Sequence, residues 1–209
     1  MKNNRRVTRG TLIRGTKDYL LDAEFVAVNI ESSAVRPSEG EIIEIGAVIV
    51  KNGEVRDHFH TYIKSKEPLK LWISELTGVT DEMLAYAADQ KTALTAFREF
   101  LGNRPLAVYH GEYTLEFLRE GYRQVGINFE PTTVDLLCFV KIWYPELTRH
   151  ATRYTAEQMG IPLSPNGGTV GGAEVYAKML TDFFKRYRKM GIHSLLAVKD
   201  YEGGRANEQ

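Results

Sequence analysis

The chain lacks the features that would mark a secreted, membrane-bound or nucleic-acid-coating protein. It has one cysteine, Cys138, which excludes an internal disulfide and suits a reducing cytoplasm. It has no long apolar run, so we expect neither a secretory signal nor a membrane span, and no membrane partner. Lys plus Arg and Asp plus Glu both number 27, so there is no overall basic excess. These absences predict a soluble cytoplasmic protein and leave room only for local basic patches.

The length of 209 residues and the hydrophobic content of 43% suit one domain with a sizeable core and short tails. The residues before Phe25 are polar and mixed, and the apolar periodicity ends near residue 190. We therefore predict a polar lead-in over residues 1–24, one domain over residues 25–190 and a tail over residues 191–209.

Three strand-like segments open the predicted domain. Residues 25–30 and 42–50 are nearly continuous apolar runs, as expected for strands covered on both faces. Asn52-Gly53 follows, a strong hairpin signal because both residues tolerate positive φ. The segment from Val55 to Ile63 is more polar and predicts an edge strand. Together these segments predict an antiparallel meander.

Beyond residue 90 the apolar period becomes helical and alternates with two short extended pieces, residues 106–109 and 131–134. The last long helix carries an apolar stripe from Tyr176 to Tyr187. We predict an α/β fold in which a mixed five-stranded sheet, an antiparallel meander plus parallel strands, has helices on both faces. This outline resembles the ribonuclease H-like arrangement, which periodicity alone does not identify.

Several short blocks, in order and at regular spacing, resemble the motifs of one enzyme family. They are residues 25–33, 41–48, 73–84, 109–118, 134–137, 159–163 and 167–174. The set covers roughly residues 24–190 and is similar to the DEDDh, or DnaQ-like, 3′–5′ exonucleases. It is closest to the proofreading exonuclease domains and subunits of bacterial DNA polymerase III.

The resemblance implies a two-metal active site. In this family four carboxylates hold two Mg²⁺ or Mn²⁺ ions and a histidine activates the attacking water. Two such ions stabilise the attacking and leaving oxygens of an in-line displacement, and clustering them requires several negative charges.

Most of the residues that this chemistry needs are absent. The first motif, Asp-x-Glu in the family, has Asn29 and Glu31 here. Thr114 stands at the aspartate of the second motif, and Gly167 and Gly172 stand at the histidine and aspartate of the third. Only Glu31 is retained as a catalytic position. We therefore expect no bound metal or other cofactor, apart from a weak single site at Glu31 at most, and no normal two-metal hydrolysis.

Four nearby residues are candidates to replace the missing metal ligands or the missing base. Glu112 and Glu116 are expected to be solvated charges near a helix end, because both are two residues away from Thr114 and face other directions. Asp135 is expected to be a helix N-cap. His110 either lines the active-site cleft that the resemblance implies, around residues 29, 31, 114, 167 and 172, or is an ordinary hydrogen-bonded histidine. For Glu31 itself the alternatives are a weak cation ligand or a metal-free carboxylate that is hydrogen-bonded to Asn29 or nearby backbone.

The resemblance also implies a groove for a 3′-terminal nucleotide. Its candidate nucleic-acid-binding residues are Ser32, Ser33, Ala34, Leu76, Thr77 and His110. Stacking of a base on Leu76 needs no metal. Equally, these residues could simply close the edge of the sheet. The basic run over residues 185–189 and the basic N-terminus, Arg5, Arg6 and Arg9, are ambiguous between solvated faces and binding patches.

Three functional hypotheses remain open. The first is an inactive exonuclease-like domain that binds a single-stranded nucleic-acid 3′ end, a nucleotide or a protein partner. The second is an active metal-dependent 3′–5′ exonuclease with replacement ligands, and the third is a pure docking module. Because glycine is unfavourable inside helices, we also expect the last helix to start late, near Gly172 or Ala173, after a mobile loop.

Overall fold

A five-stranded sheet forms the centre of the computed structural model, which describes residues 20–199. The strands are β1 (Phe25–Ser32), β2 (Ile42–Lys51), β3 (Glu54–Tyr62), β4 (Leu106–Val108) and β5 (Thr133–Asp135). Their order is β3-β2-β1-β4-β5. The pairs β1–β2 and β2–β3 are antiparallel, and the pairs β1–β4 and β4–β5 are parallel. The predicted mixed sheet is confirmed.

The meander follows from the burial of its strands and from one tight turn. Strand β2 is buried along almost its whole length, while β3 is mostly exposed and lies at the edge of the sheet, as predicted. Asn52 and Gly53 connect them with φ angles of 54° and 80°. Two successive positive φ angles match the twist of a tight hairpin.

Helices cover the two faces of the sheet within residues 20–199. They are α1 (Leu71–Thr77), α2 (Asp81–Ala85), α3 (Gln90–Leu101), α4 (Gly111–Gln124), α5 (Leu136–Trp143), α6 (Thr152–Gln158) and α7 (Gly168–Lys189). One core contains Phe139 of α5 and Phe183 of α7, and the other contains Phe97 of α3 and Phe117 of α4. The predicted helices on both faces are therefore confirmed.

Two residues outside the predicted 25–190 domain are buried in the core, Leu20 and Val198. The amide of Leu20 donates to the carbonyl of His193 over 3.1 Å, so the two ends of the described region meet. The rest of the predicted lead-in (1–19), including Arg5, Arg6 and Arg9, and the rest of the predicted tail (200–209) lie outside the described residues. Between residues 20 and 199, no helix is both long and apolar enough to cross a membrane.

The prediction of a late start for α7 is wrong, because the helix begins at Gly168. Gly167 precedes it with φ 63° and accepts a 2.7 Å hydrogen bond from the amide of Gly171. The first turn packs directly on β2, where a Cβ added at Gly46 would lie 2.4 Å from the backbone of Thr169. This packing outweighs the helix-propensity cost of about 0.5–1 kcal/mol per glycine.

Candidate functional site

The end of β1 and the first turns of α7 meet at Asn29. A Cβ added at Gly172 would lie 2.5 Å from Asn29 Nδ2, so the helix backbone contacts this amide. The hydroxyl of Tyr176, one turn further along α7, donates to Asn29 Oδ1 over 3.3 Å. Tyr176 also shares a 3.3 Å hydrogen bond with Thr152 and stacks on Tyr109. The structure thus brings together two of the positions that the sequence assigned to metal ligands, and neither carries a charge.

Glu31 lies two residues further along β1, directly opposite Glu44 on β2. Burial raises the pKa of Glu31 to about 7, and the facing charge of Glu44 adds to this rise. Among residues 20–199 no hydrogen bond or ion pair of the Glu31 side chain is found. The alternative of a hydrogen bond between Glu31 and Asn29 is therefore not realised, and the Asn29 amide contacts α7 instead, through Tyr176 at Oδ1 and Gly172 at Nδ2.

Glu44 was missed by the sequence analysis. Its side chain is buried and shares a 2.8 Å hydrogen bond with Nε2 of His60 on β3. The hydroxyl of Thr169, in the first turn of α7, donates to the same Glu44 oxygen over 2.8 Å. The available signal was a charged residue inside an otherwise apolar strand, since a carboxylate is retained there only when it is paired or hydrogen-bonded.

The other two substituted positions differ in their surroundings. Thr114 lies in the first turn of α4 and is buried, and its amide donates to the carbonyl of His110 over 3.2 Å. Gly167 has φ 63°, and a Cβ built there meets no atom within 4 Å. The position of the family histidine is therefore open space at the N-cap of α7.

The hydroxyls that follow β1 are used inside the protein. Ser32 is buried, donates to the carbonyl of Ala34 over 2.5 Å and shares a 2.6 Å hydrogen bond with the hydroxyl of Tyr113. Ser33 Oγ accepts from the amide of Glu41 over 3.0 Å. Since Ala34 is buried as well, these residues can shape a groove through their backbone more readily than through their side chains.

The helix α1 offers a different surface. Leu76 is 74% exposed, whereas the hydroxyl of Thr77 donates to the carbonyl of Ile73 and accepts from the amide of Val79. Gly78 ends the helix with φ 76°. Leu76 is therefore held out into solvent by a well-defined helix end, while Thr77 is occupied in forming it.

His110 and Asp135 organise the start of α4. His110 is exposed, adopts φ 56° as the N-cap of α4, and its Nε2 shares a 3.2 Å hydrogen bond with the carbonyl of His150. Asp135 accepts from the amide of Leu137, which confirms the predicted N-cap of α5, and also from the amide of Gly111. Glu112 and Glu116 are both exposed, as predicted.

Glu174 fixes the turn that leads into α7. It accepts hydrogen bonds from the Ser164 hydroxyl and, over 2.7 Å, from Asn166 Nδ2, and it pairs with Nε2 of His58 at 2.9 Å. Burial alone would raise the pKa of Glu174, but the hydrogen bonds from Ser164, His58 and Asn166 together lower it below its usual value. This anchored turn replaces the mobile loop expected from the glycines.

The side chains do not fit a two-metal site. Within the described part of the chain, no group of three or more His, Cys, Asp or Glu residues could hold a metal ion. Hard dications need oxygen ligands that together supply several negative charges. Of the five family positions only Glu31 carries a carboxylate, while Asn29, Thr114, Gly167 and Gly172 carry no charge.

The raised pKa of Glu31 predicts a pH-dependent cost of its charge. The folded protein favours the protonated form of Glu31. The contribution of protonated Glu31 to the free energy of unfolding is therefore fully present below the ordinary pKa of 4.5 and is lost as pH rises through about 7. Glu31→Gln should match the wild type in free energy of unfolding near pH 4.5. At pH 8 it should be about 1–3 kcal/mol more stable, as one pKa unit corresponds to about 1.4 kcal/mol.

Chemical denaturation of both proteins across this pH range measures the difference. Glu116→Gln, at an exposed carboxylate of α4, is the matched control and should show no such trend. A stability difference between Glu31→Gln and wild type that stays constant from pH 4.5 to 8 would contradict the assignment.

The chain is similar in sequence to a known family of exonucleases and to regions of bacterial DNA polymerases. The RNase T family model, described as Exonuclease, matches residues 20–166 and so ends just before the glycine-rich stretch. The DNA polymerase III PolC-type of Halalkalibacterium halodurans is 32% identical over 162 residues, which is 77% of this chain and 11% of that protein. The PolC-type polymerase of Clostridium perfringens is 28% identical over 180 residues, 86% of this chain and 12% of that protein. The chain thus spans about a tenth of the length of these relatives.

Solved structures show the same fold at low sequence identity. Escherichia coli exonuclease I in complex with a dT13 oligonucleotide aligns with TM-score 0.70 and 13% identity, covering 81% of this chain and 42% of that one. Exonuclease X in complex with 5′ overhanging duplex DNA aligns with TM-score 0.65 and 12% identity, covering 78% and 92%. These structures confirm the expected ribonuclease H-like fold, and the PolC-type relatives confirm the resemblance to polymerase III exonuclease regions.

Proposed function

Since this chain belongs to the RNase T exonuclease family, we propose that it binds the 3′ end of single-stranded nucleic acid without hydrolysing it. The contact between Asn29 and Gly172 carries the proposal. At the place where two aspartates would share a metal, an uncharged amide lies against a helix backbone. This proposal does not include the polymerase activity of the much longer relatives, because this chain spans only about a tenth of their length.

Electrostatics support the absence of hydrolysis. The family site brings about four negative charges to two dications, whereas this cleft keeps only Glu31. Because the pKa of Glu31 is about 7, even this charge is partly neutralised at physiological pH. Loss of the positioned base at Gly167 separately costs on the order of a hundredfold in rate. Both losses lower the rate of hydrolysis.

The surface around the cleft supports binding. Leu76 is 74% exposed and Trp72, one helical turn earlier on α1, is 44% exposed. Stacking of a base on an aromatic side chain such as Trp72 contributes about 1–3 kcal/mol, and burial of Leu76 against a base adds an apolar contact; neither requires a metal. The complex of exonuclease I with dT13 makes a single-stranded oligonucleotide the reasonable ligand class to test.

An active exonuclease with replacement ligands is the alternative, and the facing pair Glu31 and Glu44 favours it. Against it, the Glu44 carboxylate already accepts from Thr169 and pairs with His60. Mn²⁺-dependent cleavage by the purified wild type, abolished by Glu31→Ala, would establish this alternative and overturn the proposal.

The proposal predicts binding that does not depend on metal. A fluorescently labelled oligo-dT should bind the wild type in EDTA as well as in Mn²⁺, and should remain uncut in both. Leu76→Ala should weaken binding about tenfold, since it removes an apolar side chain whose full burial contributes about 1.5–3 kcal/mol. Fluorescence anisotropy and gel analysis of the same samples measure binding and cleavage.

Leu71→Ala provides the matched control, because Leu71 is 75% exposed on the same helix and faces another direction. It should leave the affinity unchanged. Equal loss from both variants would indicate a general effect on α1, and no measurable oligo-dT binding by the wild type would refute the proposed function.

A further inference from the structure

A basic pocket lies at the C-terminal end of α7, away from the cleft. Its cavity of about 480 Å³ is lined by Leu21, Asp182, Lys185, Arg186, Arg188 and Lys189. Four of the six lining residues are cations and one is an acid. This local excess contrasts with the zero net charge of the whole chain.

The single acid of the pocket is already neutralised. Arg186 Nε lies 2.7 Å from Asp182 Oδ2, and its Nη2 donates to the Tyr144 hydroxyl over 2.7 Å. The guanidinium of Arg186 also lies over the rings of Trp143 and Tyr144, 5.7 and 5.3 Å from their centroids. The charges of Arg186 and Asp182 therefore neutralise each other, and Arg186 is held in place by its contacts with Trp143 and Tyr144.

The other three cations remain available. The side chains of Lys185, Arg188 and Lys189 make no ion pair or hydrogen bond with any residue from 20 to 199. Lys185 and Lys189 are one helical turn apart, and Arg188 lies beside them on the pocket wall. Basic residues near a helix C-terminus are favoured by the helix dipole, but that preference does not require three of them around one cavity.

This pocket is a separate site from the cleft. Helix α7 has 22 residues and begins at Gly168, close to Asn29. At 1.5 Å per residue it is about 33 Å long, so its last turn lies far from the cleft. A nucleotide bound in the cleft therefore does not contact Lys189.

We propose that this pocket binds phosphate groups of a nucleic-acid backbone, independently of sequence and of a strand end. Three cations that form no ion pair within residues 20–199 surround one concave surface, and this arrangement matches the closely spaced charges of a phosphodiester chain. An acidic protein segment fits less well, because protein interfaces usually include an apolar or aromatic centre and the pocket offers only Leu21.

The test uses a variant with Lys185→Gln, Arg188→Gln and Lys189→Gln, and closed circular single-stranded DNA as the probe. Because the circle has no 3′ end, its binding does not depend on the function proposed for the cleft. Affinity at low salt should fall at least about tenfold, and the slope of log K against log salt should fall by about 2, from about 0.7 per lost contact. Lys185→Gln and Lys189→Gln alone should each reduce the slope by about 0.7.

The control removes three exposed cations elsewhere, with Lys64→Gln, Lys91→Gln and Arg98→Gln, for the same change of net charge. It should bind the circle like the wild type. Equal losses in the two triple variants, or no binding of the circle by the wild type, would overturn the proposal. Binding of polyglutamate that is lost only in the pocket variant, with circle binding unchanged, would also overturn it in favour of an acidic protein partner.

Discussion

Mn²⁺-dependent removal of nucleotides from the 3′ end of single-stranded DNA is expected to appear when the substituted positions are restored together. The variant carries Asn29→Asp, Thr114→Asp and Gly172→Asp, with Gly167→His supplying the base. Because the main chain presents an exonuclease fold, these substitutions add three carboxylates and a histidine to the retained Glu31. Cleavage should exceed that of the wild type by about a hundredfold or more.

The restored protein should also respond to metal in its stability. Clustered carboxylates repel each other without cations, so its melting temperature should lie below that of the wild type in EDTA and rise with Mn²⁺. The wild type should show no rise at millimolar Mn²⁺. The restored variant with Glu31→Gln added is the control and should cleave poorly. Failure of the restored variant both to cleave and to be stabilised by Mn²⁺ would contradict the assignment of these positions.

Gly46→Ala is expected to destabilise the protein by about 3 kcal/mol, at the upper end of the usual cost of overpacking. An alanine Cβ at this position would lie 2.4 Å from backbone atoms of Thr169 and Val170, which cannot rotate away as the end of a side chain can. The first turn of α7 would have to move off β2, and the hydrogen bond from Thr169 to Glu44 would be strained. Urea denaturation measures the change in free energy of unfolding.

Gly171→Ala is the matched control on the facing helix. Its Cβ would meet Ser164 Cβ at 3.5 Å, an ordinary contact, so the substitution should stabilise the protein by about 0.5–1 kcal/mol through helix propensity. A neutral effect of Gly46→Ala would show that the helix does not depend on close approach to β2.

Much of the fold could be predicted because local signals and tertiary structure agree. The apolar run over residues 42–50, the Asn52-Gly53 turn and the polar third strand together specified the meander. The start of α7 could not be predicted from glycine propensity. It depends on Gly46 and Thr169 packing against each other, and these residues are more than a hundred positions apart in sequence.

The candidate site was predictable only where motif spacing identifies a position. The spacing located Glu31 and its substituted neighbours, and the structure brings Asn29 and Gly172 into contact. It did not reveal Tyr176, whose hydroxyl reaches Asn29, or Glu44, whose charge adds to the rise that burial causes in the pKa of Glu31. Both effects arise from cross-strand and helix–sheet neighbours, which sequence periodicity does not specify.

The contact between Gly172 and the Asn29 amide also restricts how this sequence can evolve. Any side chain gained at residue 172 alone meets Nδ2 of Asn29 at about 2.5 Å, so the intermediate is crowded. An aspartate gained at residue 29 alone adds a further carboxylate to the facing pair Glu31 and Glu44 without a cation to balance it. Each single substitution is therefore expected to lower stability. Because the side chains at residues 29 and 172 would be in contact, their effects on stability are expected to be non-additive, which is the physical basis of epistasis between the two positions.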